Sequence, residues 1–210
     1  MREEIRRCFP EVDEERLLKF EELHKALAEW NDKVNLISRK DIDYFWERHV
    51  LHSLSIAKFI DFPNGTKVMD LGTGGGFPGL PLAIFFPNTE FVLVDSITKK
   101  IAAVSDVIRQ LDVKNAQALN MRAEQYTGKV DYVVTRAVAP MPSLIHWTKK
   151  HFTQGKKLPR KQGIIALKGG DLREELARLK SNEIPLTKYF EGEFFETKKL
   201  VYCPAPSRKA

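Results

Sequence analysis

A chain of 210 residues, 43% of them hydrophobic and 30% charged, has the length of one α/β domain with a short extension and the composition of a globular protein. Its two cysteines, Cys8 and Cys203, lie near opposite ends and neither belongs to a CxxC pair, which argues against a disulfide framework or a zinc site and for a reducing cytoplasm. The charged N-terminal stretch and the shortness of every apolar run argue against a signal peptide and a membrane span, while the net charge of +6 suits a polyanionic partner.

Residues 1–64 are predicted to form a helical N-terminal extension. Apolar residues recur at helical spacing over 13–32, where Asp13 is placed to cap the N-terminus of the helix. A second helix is predicted over 44–60, and a Pro-Asn-Gly turn then leads into the next segment.

From residue 65 to residue 203, short apolar strands alternate with helices. Strands are predicted over 68–71, 91–94, 116–119, 130–135 and 163–167, and helices over 79–86, 97–111, 142–152 and 172–179. This alternation predicts an α/β fold with a mostly parallel, doubly wound sheet that is covered on both faces. Two late strands, near 186–195 and 198–202, have no helix between them and are predicted to pair as an antiparallel hairpin. Residues 204–210 are predicted to be a flexible basic tail.

A glycine-rich loop, DLGTGGGFPG over residues 70–79, follows the first predicted strand. Five glycines in eight residues exceed the needs of a tight turn and allow a ligand to approach the main chain at Gly72, Gly74 and Gly76. Positions 74–79 also match the GxGxxG pattern of dinucleotide sites, so an NAD(P)-dependent oxidoreductase is one interpretation. The other interpretation starts at Gly72 and places the Asp70 carboxylate beside the loop. A carboxylate there disfavours a pyrophosphate but suits S-adenosylmethionine, which carries an amino group and a sulfonium.

Two later strand ends supply further candidate contacts to a cofactor. Asp95 ends the second strand, 23 residues after Gly72, where a carboxylate can accept hydrogen bonds from ribose hydroxyls. Because NAD and S-adenosylmethionine both contain a ribose, Asp95 does not distinguish them. After the third strand, Glu124 is placed to accept from an adenine amino group and the Ala123 backbone to donate to the ring. An exposed loop carboxylate is an equally good interpretation of Glu124.

Five segments, in this order and spacing, resemble the glucose-inhibited division protein B family: DLGTGGGFPGLPLA, VLVDSITKK, RAEQY, TRAVA and ALKGG. The N-terminal segments WNDKVNLIS and RHVLHSL are also similar to that family, which comprises bacterial small-subunit ribosomal RNA methyltransferases that modify guanine N7. The resemblance implies a Rossmann-like methyltransferase fold with a seven-stranded sheet and S-adenosylmethionine as cofactor. It implies cofactor contacts at Gly72, Phe77, Ala123, Glu124 and Arg136. One departure is His52, where the family usually has an aspartate.

Arg136, at the end of the fourth strand, is the candidate catalytic residue. Guanine N7 carries a free lone pair and needs no general base, so catalysis can depend on orientation alone. This agrees with the absence of an Asn-Pro-Pro-Tyr or Asp-Pro-Pro-Tyr motif after the fourth strand. Arg136 is placed to orient the cofactor carboxylate or to bond guanine O6, and a surface salt bridge is the alternative. Phe77 and Trp147 are candidates to stack on an unstacked guanine, or to belong to the core.

Candidate contacts to small-subunit ribosomal RNA, or to the small subunit itself, lie mainly in the run KKHFTQGKKLPRK at 149–161. This run holds six Lys or Arg residues and no acidic residue, which favours phosphate contacts, although such runs are commonly only solvated. The candidates are Lys149, Lys150, Lys156, Lys157, Arg160 and Lys161, together with Arg48, His49 and Lys168. His49 is equally well explained as a structural histidine and Lys168 as a solvated lysine. A non-catalytic RNA-binding assembly factor is a further alternative, and we expect a monomer without a metal.

Overall fold

The alternating segments build one seven-stranded sheet in the computed structural model, which describes residues 2–38, 41–153 and 156–206. The strands are β1 (Lys67–Leu71), β2 (Glu90–Asp95), β3 (Ala116–Asn120), β4 (Tyr132–Arg136), β5 (Gly163–Gly169), β6 (Asn182–Pro185) and β7 (Lys198–Pro204). Their order across the sheet is β3-β2-β1-β4-β5-β7-β6. Strands β1 to β5 are parallel, and β7 is antiparallel to both β5 and β6. The mostly parallel α/β prediction is therefore confirmed.

Helices cover both faces of the sheet, and each face has its own apolar core. The helices after the first strand are α4 (Gly79–Phe85), α5 (Thr98–Gln110), α6 (Met141–Thr148), α7 (Arg173–Leu176) and α8 (Glu193–Glu196). Alternate residues of a strand enter opposite cores, so Tyr132 and Val134 of β4 lie in one core and Val133 lies in the other. Both α6 and α7 are shorter than predicted.

Three N-terminal helices, α1 (Arg2–Cys8), α2 (Glu14–Asn31) and α3 (His52–Phe59), contribute to the larger of the two cores. Asp13 caps α2 as predicted, because its side chain accepts a hydrogen bond of 2.9 Å from the Arg16 amide. Trp30 of α2 donates from Nε1 to Asp106 of α5 over 2.9 Å, which ties the N-terminal segment to the sheet domain.

The single helix predicted over 44–60 is wrong in detail. A 3-10 turn covers Ile42–Tyr44, a π-helical segment covers Trp46–Leu51, and only then does α3 begin. The apolar spacing is similar in these forms, so periodicity does not separate them, whereas a π-helical segment widens the turn and is frequent at functional sites. Arg48 and His49 lie on that segment.

The strand predicted over 186–195 is also wrong. The strand β6 ends at Pro185, which has no N–H for a ladder, and a 3-10 turn over Leu186–Lys188 and the helix α8 follow. The aromatic residues Phe190 and Phe195 are both buried, with ring centroids 4.9 Å apart, instead of alternating between two faces. The antiparallel pairing of the last two strands is nevertheless confirmed.

The C-terminal segment differs from the predicted tail where it is described. Pro204 still belongs to β7 and Ala205 is buried, because the Ala205 amide donates to the Gln162 carbonyl over 2.7 Å. Residues 207–210 lie outside the described residues. Within the described ranges, no helix combines the length and apolar character needed to cross a membrane.

Candidate active site

The glycine loop leaves the carboxyl end of β1 between its two neighbours, β2 and β4. In an open parallel sheet, this point of reversed strand order is where ligands bind. Gly72 and Gly76 have φ of +69° and +94°, a region that disfavours side chains and that lets the main chain fold tightly over the end of the strand. The loop thus has the position predicted for a cofactor site.

Asp70 lies beneath this loop and is fully buried. Its Oδ2 accepts from the Thr73 hydroxyl at 2.6 Å and from the Gly79 amide at 2.8 Å, while Oδ1 has no partner. Burial raises the pKa of this carboxyl to about 7. The prediction that Asp70 faces the cofactor's positive groups is therefore wrong for this structure, because the carboxylate holds the loop from inside.

An open cleft of about 400 Å³, a size typical of small-molecule sites, lies outside the carboxyl ends of β1, β2 and β3. Asp95 lines it, and its two carboxylate oxygens accept from the amides of Gly74 and Ile97, each at 2.9 Å. The cleft is also lined by Leu71, Gly72, Val94, Ser96, Lys100, Met121, Arg122, Ala123, Glu124, Val138 and Trp147. The structure therefore brings Gly72, Asp95, Ala123 and Glu124 together as predicted.

The end of the cleft beyond β3 has mixed polar and apolar walls. Ala123 is buried at the start of a 3-10 turn, Ala123–Gln125, and Glu124 is exposed at the rim. Trp147 of α6 also reaches the cleft and is only half-buried, so its place in the core is partial. These residues form a wall suited to a flat aromatic ring with polar edges.

Arg136 extends from the end of β4 toward the N-terminal segment. Its Nη1 donates to the Arg48 carbonyl and its Nη2 donates to His49 Nδ1, both over 3.1 Å. Its guanidinium carbon lies 4.9 Å from the centre of the Phe77 ring. Desolvation lowers the Arg136 pKa to about 10, so the group remains charged at neutral pH. Within the described parts of the chain, no carboxylate lies at ion-pairing distance from it.

The tautomer of His49 follows from this contact. Because a guanidinium only donates hydrogen bonds, His49 Nδ1 must accept, and the ring proton of the neutral imidazole then lies on Nε2. That Nε2 is buried without a partner. Burial and the charge of Arg136 lower the His49 pKa to about 3. The ring is therefore a neutral acceptor that fixes the direction of the Arg136 side chain.

Comparison with known proteins agrees with this geometry. The family described as "rRNA small subunit methyltransferase G" (GidB) matches residues 16–199 of the chain. The chain belongs to this family. A relative of the same description from Flavobacterium psychrophilum is 48% identical over 203 residues, which cover 96% of this chain and 97% of the relative. One from Bacteroides thetaiotaomicron is 48% identical over 200 residues, covering 94% and 97%.

Solved structures share the fold of this family member at low identity. A SAM-dependent methyltransferase from Aquifex aeolicus has a TM-score of 0.58 and 14% identity, covering 81% of this chain and all of that one. Aeropyrum pernix fibrillarin, solved with bound S-adenosyl-L-methionine, has a TM-score of 0.54 and 13% identity, covering 74% of each chain. These similarities establish the Rossmann-like methyltransferase fold that the sequence predicts.

Phe77 has a different place from the one that the family resemblance implies. Its ring is 2% exposed and packs against His49, with ring centroids 4.9 Å apart, and its amide donates to the Thr73 carbonyl over 2.9 Å. Phe77 therefore supports the loop and Arg136 from the core, and its side chain does not line the cleft. It is also too deeply buried to stack on a substrate base.

Three of the residues predicted to contact RNA are instead paired with other residues of the protein or buried in it. Lys168 pairs with Glu175 Oε1 at 2.7 Å and donates to the Ala139 carbonyl at 2.8 Å, so its charge is compensated. Arg48 pairs with Asp41 at 2.6 Å, and His49 is buried. The prediction that these side chains form an RNA surface is therefore wrong for the described conformation.

His52, the departure from the family pattern, is a buried neutral ring. Burial and the nearby Arg136 hold its pKa well below the usual range, and its ring lies edge-on to Phe194, with centroids 5.3 Å apart. A carboxylate at position 52 would compensate part of the Arg136 charge, whereas the imidazole does not.

Val138, which local sequence patterns do not single out, lies directly over Gly72, the first glycine of the loop. A Cβ atom at Gly72 would lie 2.4 Å from Val138 Cγ2, so only glycine fits below it. Val138 is 40% exposed, and Ala137 before it has a φ of +53°. The sequence shows only that Val138 follows the charged end of a predicted strand, Arg136, by two residues, because its exposure and the positive φ of Ala137 are visible only in the structure. Of the described residues, no group of three acidic, histidine or cysteine side chains is arranged to hold a metal ion.

Proposed function

We propose that this chain transfers the methyl group of S-adenosylmethionine to N7 of a guanine in small-subunit (16S) ribosomal RNA. Family membership supports the reaction and the substrate class. The observation that carries the proposal is the cleft at the carboxyl edge of the sheet, which Gly72 of the glycine loop, Asp95 and Glu124 line together. Arg136 lies beside it, at the carboxyl end of β4.

The loop favours S-adenosylmethionine over a dinucleotide. The amides of Gly72 and Thr73 donate to the Val94 carbonyl, that of Gly74 donates to Asp95, and that of Gly79 donates to Asp70. A pyrophosphate needs free amides at a helix N-terminus, and these are already bonded. An NAD(P)-dependent oxidoreductase is therefore disfavoured by the hydrogen bonds of the loop.

The residues fit the three parts of S-adenosylmethionine. Asp95 would accept hydrogen bonds from the ribose hydroxyls, and Ala123 and Glu124, which line the same cleft, would flank the adenine. Gly72 and Val138 line the other end of the cleft, and Arg136, two residues before Val138 at the end of β4, is our candidate to bind the carboxylate of the cofactor's amino-acid part. The bound cofactor supplies an electrophilic methyl group on a positively charged sulfur.

The protein's task in this reaction is to orient the two reactants. Guanine N7 attacks with an in-plane lone pair, so no side chain has to remove a proton. Arg136 either fixes the cofactor carboxylate or donates to guanine O6, and His49 and the Arg48 carbonyl hold its direction. Exclusion of water by the apolar Val138 and Ile97 at the cleft would strengthen these contacts.

The test uses methyl-labelled S-adenosylmethionine and bacterial small subunits that lack the modification. After digestion of the RNA, we expect the label in N7-methylguanosine, and label in another nucleoside would disprove the N7 assignment. Calorimetry with S-adenosylhomocysteine and with NAD provides the control for the cofactor. Binding without any transfer would favour the alternative, a non-catalytic assembly factor. The proposal takes the protein to be a cytoplasmic monomer, which light scattering and cell fractionation test.

A further inference from the structure

A band of cationic side chains runs from the rim of the cleft to the opposite edge of the sheet. At the rim, Lys150 Nζ donates to the Glu124 carbonyl over 2.6 Å, and Lys129 Nζ donates to the Lys150 carbonyl over 2.6 Å. At the far edge, where β1 and β4 begin, Lys156 Nζ contacts the Gly65 carbonyl at 2.8 Å. We call these residues the basic band: Lys129, Lys149, Lys150, Lys156, Lys157, Arg160 and Lys161.

The charge of the basic band is largely uncompensated. All seven side chains are exposed. Lys156 pairs with Asp131 at 2.6 Å, whereas Lys129, Lys149, Lys150, Lys157 and Arg160 have no carboxylate at ion-pairing distance among the described residues. Five exposed cations without a carboxylate partner among the described residues therefore lie along the band.

The main chain at the far end of the band is fixed to the core at residues 160 and 161. The hydroxyl of Tyr132 donates to the Arg160 carbonyl over 2.6 Å, and that of Tyr202 donates to the Lys161 carbonyl over 2.5 Å. The Arg160 guanidinium also lies 4.2 Å from the centre of the Phe59 ring. A segment that only solubilises the protein has no need of such anchoring, whereas a binding surface loses less entropy when its backbone is already ordered.

The far end of the band is well separated from the cleft. The cleft lies at the carboxyl ends of the parallel strands, and residues 156–161 precede β5 at the amino ends. A five-residue strand such as β4 spans about 17 Å, so a polyanion that contacts both sites must extend beyond the target nucleotide by at least that distance.

We propose that the basic band binds the phosphate backbone of ribosomal RNA that flanks the target guanine, as a second contact outside the cleft. This inference rests on the proposed function, because the RNA is taken to be the substrate of the cleft. Lysine and arginine side chains contribute affinity without reading sequence, and release of counterions makes that affinity dependent on salt. The band thus sets the affinity and orientation of the RNA, while the cleft selects the nucleotide.

The test is a variant with Lys129→Gln, Lys149→Gln, Lys157→Gln and Arg160→Gln, which leaves Lys156 paired and the Lys150 contact intact. Binding to protein-free small-subunit ribosomal RNA is measured between 50 and 200 mM salt. We expect affinity to fall at least about tenfold and the slope of log K against log salt to become less negative by about 3. Affinity for S-adenosylhomocysteine should be unchanged.

A matched control carries Arg7→Gln, Lys25→Gln, Lys114→Gln and Lys188→Gln, which removes the same charge elsewhere on the surface. The inference is overturned if the control loses as much affinity as the variant, or if the variant keeps the wild-type salt slope. A loss of affinity seen only with intact small subunits would indicate that the band binds a ribosomal protein, and this result would also overturn the inference. These measurements need no turnover, so a wild-type protein that labels no guanine contradicts the proposed function separately.

Discussion

At the scale of single residues, the buried carboxyl group of Asp70 is only half satisfied. Its Oδ2 accepts two hydrogen bonds, whereas its Oδ1 has no hydrogen-bond partner. Its pKa of about 7 lies above the value of 3.8 expected in the unfolded chain. A raised folded-state pKa gives a stabilising contribution that is fully present below pH 3.8 and that is lost as the pH rises through 7. Folding therefore opposes the charge of this group at neutral pH.

Asp70→Asn keeps an acceptor for Thr73 and Gly79 but cannot ionise. Raising the pH from 4.5 to 8 should therefore lower the unfolding free energy of the wild type relative to that of the variant. We expect this relative change to be on the order of 2–4 kcal/mol. Urea unfolding of both proteins at the two pH values measures this. An identical difference at both values would show that Asp70 does not titrate in this range.

The second residue-scale prediction concerns Arg136. Arg136→Gln should reduce turnover by about 100-fold or more, because the charged group that is proposed to orient one of the reactants is lost. The far-ultraviolet circular dichroism should be unchanged, since no ion pair is broken.

Binding measurements on Arg136→Gln separate its two possible contacts. A weaker affinity for S-adenosylhomocysteine assigns the guanidinium to the cofactor carboxylate, whereas an unchanged affinity with a higher KM for the RNA assigns it to guanine O6. Near-normal turnover would exclude both roles.

At the scale of elements, the π-helical segment Trp46–Leu51 presents the Arg48 carbonyl and the His49 ring to the end of β4. His49 is a positioning residue in this arrangement, because it contacts Arg136 and does not line the cleft. His49→Leu removes the acceptor and should lower turnover about tenfold, while His49→Asn keeps a side-chain acceptor and should restore part of it. Equal losses in the two variants, measured as kcat and KM for the RNA, would contradict this role.

The start of α4 is the second element on which the site depends. A Cβ at Gly79 would lie 2.6 Å from Asp70 Oδ2 and 2.9 Å from Leu93 Cγ, so Gly79→Ala should displace the loop and destabilise the protein by about 1–3 kcal/mol. Gly169→Ala is the control, since its nearest contact would be 3.3 Å from the Thr197 carbonyl. The unfolding free energy and the affinity for S-adenosylhomocysteine should both fall in Gly79→Ala and stay unchanged in Gly169→Ala. Similar effects in the two variants would argue against the close approach at Gly79.

At the scale of the whole molecule, the N-terminal segment and the sheet domain share one core and the Trp30–Asp106 hydrogen bond. We expect them to unfold together. In a Trp147→Phe variant, the remaining tryptophans, Trp30 and Trp46, lie in the N-terminal segment and report on it alone. Their fluorescence should give the same urea midpoint as circular dichroism of the whole chain, whereas two separate midpoints would indicate independent domains.

The sequence predicts the sheet well where strands are largely apolar, as in β1, β2, β4 and β5, because a parallel sheet buries both faces. It fails at 186–195, where aromatic residues favour a strand but pack into the core from a turn and a short helix. The loop and Asp95 were predictable from local spacing. The pairing of Lys168 with Glu175 and of Arg48 with Asp41, and the burial of Asp70, depend on tertiary contacts that no local pattern contains.

The hydrogen bond from Arg136 to the Arg48 carbonyl joins residues 88 positions apart. A nascent chain exposes the N-terminal half of this contact long before the guanidinium emerges from the ribosome. Products of incomplete synthesis or of proteolysis can therefore contain the whole glycine loop and still lack an Arg136 that is held by Arg48 and His49. Such fragments would be inert toward RNA methylation, so catalytic competence is reached only by a chain that has been completed at least through β4 and has folded back on its own beginning.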